Sequence, residues 1–285
     1  MLEIYSPNDE LDNLLKPKNN LLKPKKPTFL CHSHFVKNLL MRNIFLQIEP
    51  EVIIPVRDHL LKYGDQFDYI LTFDDVILQR CKNAHKYIYG TTWLLPKDYE
   101  NINIQSKKFL LTSITGCKVG AIGHKMRHGI YHFQNDIKLI IPIRFYLSHQ
   151  LKGHTEDIAR INNNPYLPKE KHSKIELFRD AQFSLVIENS EQTNYFTEKL
   201  CDCLITKTIP IYYGCPNISE FFDTTGWIFI KENEDPNVFL EKLKILTPDY
   251  YMKYIHTINK NYETVKKYID LNENINRTLR SIPEY

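Results

Sequence analysis

The residues best placed to do chemistry lie in FSLVIENSEQTNYFTEKLCDCLITKTIPIYYGCPNI, residues 183–218. The opening run FSLVI is apolar and reads as a buried strand. It ends in Glu188, Asn189 and Ser190. Polar residues just past a strand in an open α/β sheet stand where ligands bind. After a short loop, Thr197, Glu198 and Lys199 open a helical pattern, with Phe196, Leu200, Cys203 and Leu204 on its buried face. A helix start presents unpaired N–H groups and a positive dipole end, which favour an anion such as a phosphate. Lys199 adds a full charge there. Glu198 can accept hydrogen bonds from ribose hydroxyls, and the Tyr195 ring offers a flat surface to a base or sugar. Taken alone, Thr-Glu-Lys reads better as a helix cap beside a surface Glu–Lys pair. The whole ordered run of strand, ENS, loop, YFTEK, helix, strand, YYG and PN is what points to a site.

That run resembles the signature of the α-1,3/4-fucosyltransferases. In that family a strand leading to E-N-S or E-N-T precedes Y-x-T-E-K and then a P-(V/I)-Y-x-G strand. The matching residues are Glu188, Asn189, Ser190, Tyr195, Thr197, Glu198, Lys199, Pro210, Ile211, Tyr212 and Gly214. The close similarity covers residues 183–230, and weaker similarity extends over 107–135 and 44–95.

The resemblance implies an α/β GT-B-like fold, two Rossmann-like domains facing across a cleft, with the donor nucleotide held mainly by the C-terminal one. It assigns Lys199 to the diphosphate and Glu198 to the ribose, with Glu188, Asn189, Ser190, Tyr195 and Thr197 around the donor. Arg127, in KMRHGIYHF, looks like the family's arginine after the first strand of the donor domain. A guanidinium suits a phosphate because it offers two parallel hydrogen bonds. The competing reading is a surface arginine on a helix.

The N-terminal domain is then expected to supply the acceptor site and a base. Glu49, in NIFLQIEPE, is the best match to the family's glutamate after a strand, and Glu51 is close enough to compete. Such a carboxylate takes the proton from an acceptor hydroxyl as it attacks the anomeric carbon. The implied reaction is an inverting transfer of fucose from GDP-fucose to a glycan hydroxyl, with no metal or other cofactor required. Two alternatives stand beside it: a transferase for another nucleotide sugar, such as a UDP-pentose or UDP-hexose, and a non-catalytic nucleotide- or glycan-binding module.

His32 and His34, in LCHSH, fall at a strand end, and Trp93 lies near the expected domain junction. All three are acceptor-side candidates, with packing as the alternative. Asp68, Asp74 and Asp75 form no D-x-D triplet, and adjacent carboxylates at a strand end are commonly solvated. The cysteines form no CxxC pair and no zinc spacing with histidine.

Alternating strands and helices must position these residues. Strands are expected at 27–33, 43–49, 67–73, 85–89, 107–114, 139–147, 181–190, 208–214 and 226–230. Helices are expected at 126–136, 197–207, 237–246 and 249–269. This order predicts parallel sheets with flanking helices. The expected division is a Lys/Pro-rich arm over 1–26, which carries the tandem echo NLLKPKN–NLLKPKK. An acceptor-side domain over 27–104, a nucleotide-sugar domain over 105–265 and a helical tail over 266–285 follow it.

At 285 residues and 42% hydrophobic, the chain is long enough to bury a real core. A net charge of +3 lacks the concentrated basic face of a nucleic-acid binder. The sequence contains no apolar run long enough for a membrane span and no basic-then-apolar leader, so the expectation is a cytoplasmic protein with reduced thiols. The basic arm leaves room for peripheral contact with a membrane.

Overall fold

Among the described residues, apolar runs bounded by polar loops form two five-stranded sheets, in each of which every strand is parallel to its neighbours. The structure is a computed structural model that describes residues 3–5, 27–31, 42–148, 164–168 and 173–283. Two units divide the chain. The first takes Met1–Tyr89, Thr193–Tyr195 and Leu271–Tyr285, and the second takes Gly90–Gln192 and Phe196–Asp270.

The first unit holds β1 (Glu3–Tyr5), β2 (Pro27–Cys31), β3 (Arg42–Leu46), β4 (Tyr69–Thr72) and β5 (Ala84–Lys86), in that spatial order. Side chains alternate across a strand, and β3 uses both faces. Phe45 packs with Leu60 of α1 (Arg57–Tyr63) and Ile77 of α2 (Asp75–Arg80). Ile44 and Leu46 pack with Leu71, Tyr87, Ile275 and Leu279. Ile275 and Leu279 come from the chain's last helix, Leu271–Arg280. From Leu271 onward, the expected helical tail is therefore part of the first unit's core. Burial of its apolar stripe supplies the reason. At the other end, the expected arm contains a strand, because Glu3–Tyr5 pairs with Thr28–Leu30. The tandem echo lies outside the described residues.

The second unit follows with β6 (Lys108–Thr115), β7 (Ile143–Leu147), β8 (Ala181–Ile187), β9 (Ile209–Tyr213) and β10 (Ile228–Phe229), in spatial order β10-β9-β8-β6-β7. All seven residues of β8 are buried, as befits a central parallel strand covered on both faces. The helices are α3 (Pro96–Tyr99), α4 (Ile122–His132), α5 (Gln134–Lys138), α6 (Ile175–Phe178), α7 (Glu198–Ile205), α8 (Pro236–Leu243), α9 (Pro248–Lys253) and α10 (Ile255–Ile269). Two expected boundaries move. The helix expected at 126–136 begins at Ile122 and breaks at Phe133. The strand expected from Leu139 begins at Ile143, because Leu139 caps α5 and stays exposed, and Pro142 has no N–H to give a ladder.

β7 and β8 flank β6 on opposite sides. The chain order reverses there, so the crevice beyond the carboxyl ends of β6 and β8 is the natural ligand position. It is also the place to which α4 and the loop before α7 lead. Among the described residues no helix is long and apolar enough to cross a membrane.

Candidate functional site

Packing brings α4 to the end of β8. Gly123 makes this possible, since a Cβ there would lie 1.7 Å from the Glu188 carbonyl oxygen. The Gly123 N–H donates to the Asn189 carbonyl at 3.0 Å. His124 closes the helix start, its Nδ1 accepting from the Ala121 N–H at 3.1 Å. Burial and the nearby Arg127 lower the His124 pKa to about 4, so the ring stays neutral.

One turn later Arg127 reaches the carboxyl end of β8. Its guanidinium donates to the Ile187 carbonyl and, at 3.3 Å, to Asn189 Oδ1. Lys199 arrives from the other side of β8. Thr197 is the N-cap of α7, and its hydroxyl accepts from the Lys199 N–H at 3.4 Å. Lys199 Nζ lies 3.3 Å from Glu198 Oε1 and 3.5 Å from Glu188 Oε2. Burial opposes the charge on Lys199, but Glu198 and Glu188 more than offset it and raise its pKa.

Glu188 itself is fully buried. Its two oxygens accept from the Thr197 N–H and the Thr197 hydroxyl, each at 2.8 Å. These bonds hold the loop to the strand. Burial raises its pKa, with Lys199 opposing. For Glu198 burial acts in the same direction, but Lys199 and Lys174 outweigh it and hold the carboxyl at about 2.

Two residues missing from the sequence reading complete this cluster. Lys174, just before α6, has Nζ 3.5 Å from Glu198 Oε1 and 3.5 Å from the centroid of the Trp93 ring. Burial lowers its pKa, and Glu198 resists that. Asp202, one turn into α7, is fully buried, and burial raises its pKa to about 7 against the pull of Lys174. Arg127, Lys174, Lys199 and Asp202 all line one cavity of about 70 Å³, whose apolar wall includes Ile114, Leu177 and Phe178. Such a wall beside three cations suits an anion attached to an apolar ring.

The remaining candidates fall elsewhere. Tyr195 is fully buried with its ring packed on Phe73, 5.1 Å between centroids. Ser190 is buried, and its hydroxyl has no hydrogen-bond partner among the described residues. Trp93 is 53% exposed under Lys174, and its N–H donates to Asp202 at 3.1 Å. His32 and His34 lie outside the described residues.

In the first unit Glu49 follows β3 and is half-buried. Glu51 is committed to structure, since its carboxylate accepts from the Val56 and Arg57 N–H groups at the start of α1. Asp68 accepts from the Asn43 N–H at 2.6 Å. Asp74 caps α2 and is paired with Arg57 at 2.6 Å. Asp74 is therefore not the solvated carboxylate expected at a strand end, because it holds backbone N–H groups. Among the described residues no group of three or more His, Cys, Asp or Glu could hold a metal ion.

Residues 124–279, more than half of the chain, match the family described as glycosyltransferase family 10 (fucosyltransferase), C-terminal part. A putative fucosyltransferase-like protein of Arabidopsis thaliana is 32% identical over 94 residues, 33% of this chain and 18% of that protein. The α-(1,3)-fucosyltransferase FucT of Helicobacter pylori is 28% identical over 90 residues, 32% of this chain and 17% of FucT. The matched segments thus span less than a fifth of these relatives' lengths. Among solved structures, an α,α-trehalose-phosphate synthase (UDP-forming) from Burkholderia xenovorans aligns with a TM-score of 0.57 and 11% identity, over 95% of this chain and 75% of that one. That likeness places the fold in the GT-B class.

Proposed function

The chain belongs to glycosyltransferase family 10, the fucosyltransferase family, and from that premise we propose that it is an inverting glycosyltransferase that moves fucose from GDP-fucose to a glycan hydroxyl. The observation that carries this reading is the convergence of Arg127, Lys199 and Lys174 on one cavity at the carboxyl end of β8. A leaving diphosphate gains negative charge as the sugar–oxygen bond breaks. Fixed cations aimed at that charge stabilise the transition state without reorganising.

In this reading Arg127 and Lys199 bind the diphosphate, and the charge of Glu198 keeps Lys199 protonated and oriented. Glu198 also accepts from the ribose. Glu49 removes the proton from the acceptor hydroxyl, which attacks the anomeric carbon from the face opposite the diphosphate. The carbon–oxygen bond to the acceptor forms as the bond to the diphosphate breaks, with oxocarbenium character at the sugar. The engagement of Glu51 at the start of α1 argues against Glu51 as the base. The cation cluster supports a reaction that runs without a metal.

Calorimetry with GDP and UDP in the presence of a chelator tests the donor assignment. GDP is expected to bind, and Lys199→Ala to lose at least tenfold in affinity while remaining folded. A folded Lys199→Ala protein with unchanged GDP affinity overturns the assignment.

A further inference from the structure

Lys174 stands between two groups that are themselves held. Its Nζ lies 3.5 Å from the centroid of the Trp93 ring and 3.5 Å from Glu198 Oε1, and its side chain is only 20% exposed. The Thr92 hydroxyl and the Trp93 backbone N–H donate to Asp202 Oδ1 at 2.6 and 3.1 Å. Asp202 and Glu198 lie one turn apart on α7. The segment before α3 is thereby tied to the helix that carries Glu198, with the indole of Trp93 against the Lys174 ammonium. Lys199 Nζ meets the same oxygen, Glu198 Oε1, at 3.3 Å, but it is shared with Glu188 Oε2 at 3.5 Å. Among the described residues, Glu198 is the single ion-pair partner of Lys174. Both ammonium groups meet Oε1, so Glu198 Oε2 takes part in neither pair.

Resting on the assignment of Glu198 to the ribose, we infer that Lys174 is a positioning residue for that contact: stacked on Trp93, it fixes the Glu198 carboxylate through Oε1 and leaves Oε2 to accept from the ribose hydroxyls. A lysine is a point charge on a flexible stem, and by itself it restrains a carboxylate poorly. The face of an indole attracts the ammonium and removes its other positions. An acceptor fixed before the ligand arrives loses less freedom on binding. Without Lys174 the Glu198 carboxylate is left to Lys199, which Glu188 also draws, and the contact with the ribose weakens.

The test compares GDP with its 2′,3′-dideoxy analogue, which lacks both ribose hydroxyls. Calorimetry is run on the full chain and on Lys174→Met, Lys174→Arg and Trp93→Ala. The native protein is expected to bind GDP about tenfold or more tightly than the analogue, in the range for hydrogen bonds to a charged acceptor. Lys174→Met is expected to lose most of that preference and to bind the analogue nearly as the native protein does. Lys174→Arg, which keeps the charge and can stack on the indole, is expected to retain it. Trp93→Ala keeps the backbone N–H to Asp202 and removes only the ring, so the preference is expected to fall partway. A lysine that served packing alone would lower both affinities together and leave their ratio as it was. A folded Lys174→Met protein with the native ratio therefore overturns the inference and leaves the donor site standing. Where Lys174→Met does not fold, Trp93→Ala decides by the same ratio. A native protein that binds GDP and the analogue equally overturns the assignment of Glu198 to the ribose, and the inference with it.

Discussion

Both carboxylate oxygens of Glu188 are held by Thr197, one by its N–H and one by its hydroxyl, each at 2.8 Å. This pair closes the loop between β8 and α7 and fixes where Lys199 stands. Glu188→Ala leaves the Thr197 N–H without its acceptor and Lys199 without one of its carboxylates. The expected loss is about 3 kcal/mol, within the range for breaking a buried charged pair. Thr197→Val removes the cap and one bond to Glu188 and costs about 1–2 kcal/mol. Urea unfolding of both variants checks the order. A Glu188→Ala protein as stable as the parent contradicts the role.

Mutation separates Glu49, proposed as the base, from Glu51, which holds the start of α1. Glu49→Gln is expected to cut sugar transfer by about 100-fold or more, in the range of general-base removal, with GDP affinity unchanged. Glu51→Gln is expected to keep transfer near the parent rate and to lose about 1 kcal/mol of stability, since it weakens the bonds at the start of α1. Steady-state rates beside calorimetry distinguish the two. An active Glu49→Gln enzyme rules that residue out as base.

Gly123 holds α4 against the strand end. In Gly123→Ala the new methyl would stand 1.7 Å from the Glu188 carbonyl oxygen, so the helix must move away and carry Arg127 with it. Stability is expected to drop by about 2 kcal/mol, and GDP affinity by at least tenfold. Unfolding and calorimetry on the same sample measure both. A neutral substitution would show that α4 is free to shift without moving the site.

How much of this was legible in the sequence follows the range of the interactions. The β8–α7–β9 run is local, and its periodicity and capping threonine mark it correctly. The roles of Glu188 and Tyr195 depend on what each touches beyond its own element. Glu188 turns back onto Thr197, nine positions ahead, and Tyr195 packs on Phe73 across more than a hundred residues of sequence. Neither partner is encoded in residue type or spacing. Lys174 and Asp202 were missed for a related reason. A lysine before a short helix and an aspartate inside one carry no signal until folding brings them to the same cavity. The last helix reads as a tail because its apolar stripe, including Ile275 and Leu279, is legible in the sequence but its partner sheet, more than two hundred residues earlier, is not.

Lys107 gives a pH prediction. Its ammonium is buried and donates to the Phe178 and Ala181 carbonyls and the Thr208 hydroxyl at 2.6, 2.9 and 2.8 Å. Burial lowers its pKa from 10.5 to about 7. Between those values the unfolded chain holds more protons than the folded one, so stability rises with pH through this window. From pH 7 to 9 the contribution of this group is about 2 kcal/mol. Lys107→Met is expected to lose that part of the rise, whatever its absolute stability. Unfolding free energies of both proteins at the two pH values check it, and parallel pH curves contradict it.

Arg127 and Lys199 are proposed to break the sugar–diphosphate bond of GDP-fucose. This proposal is tested most directly by the GDP released from GDP-fucose, with a chelator present, by the native protein and by folded Arg127→Ala and Lys199→Ala variants. Release by the native protein is expected, with a loss of about 100-fold or more in each variant. Release that is unchanged in both variants, or found only with a uridine sugar, would contradict it.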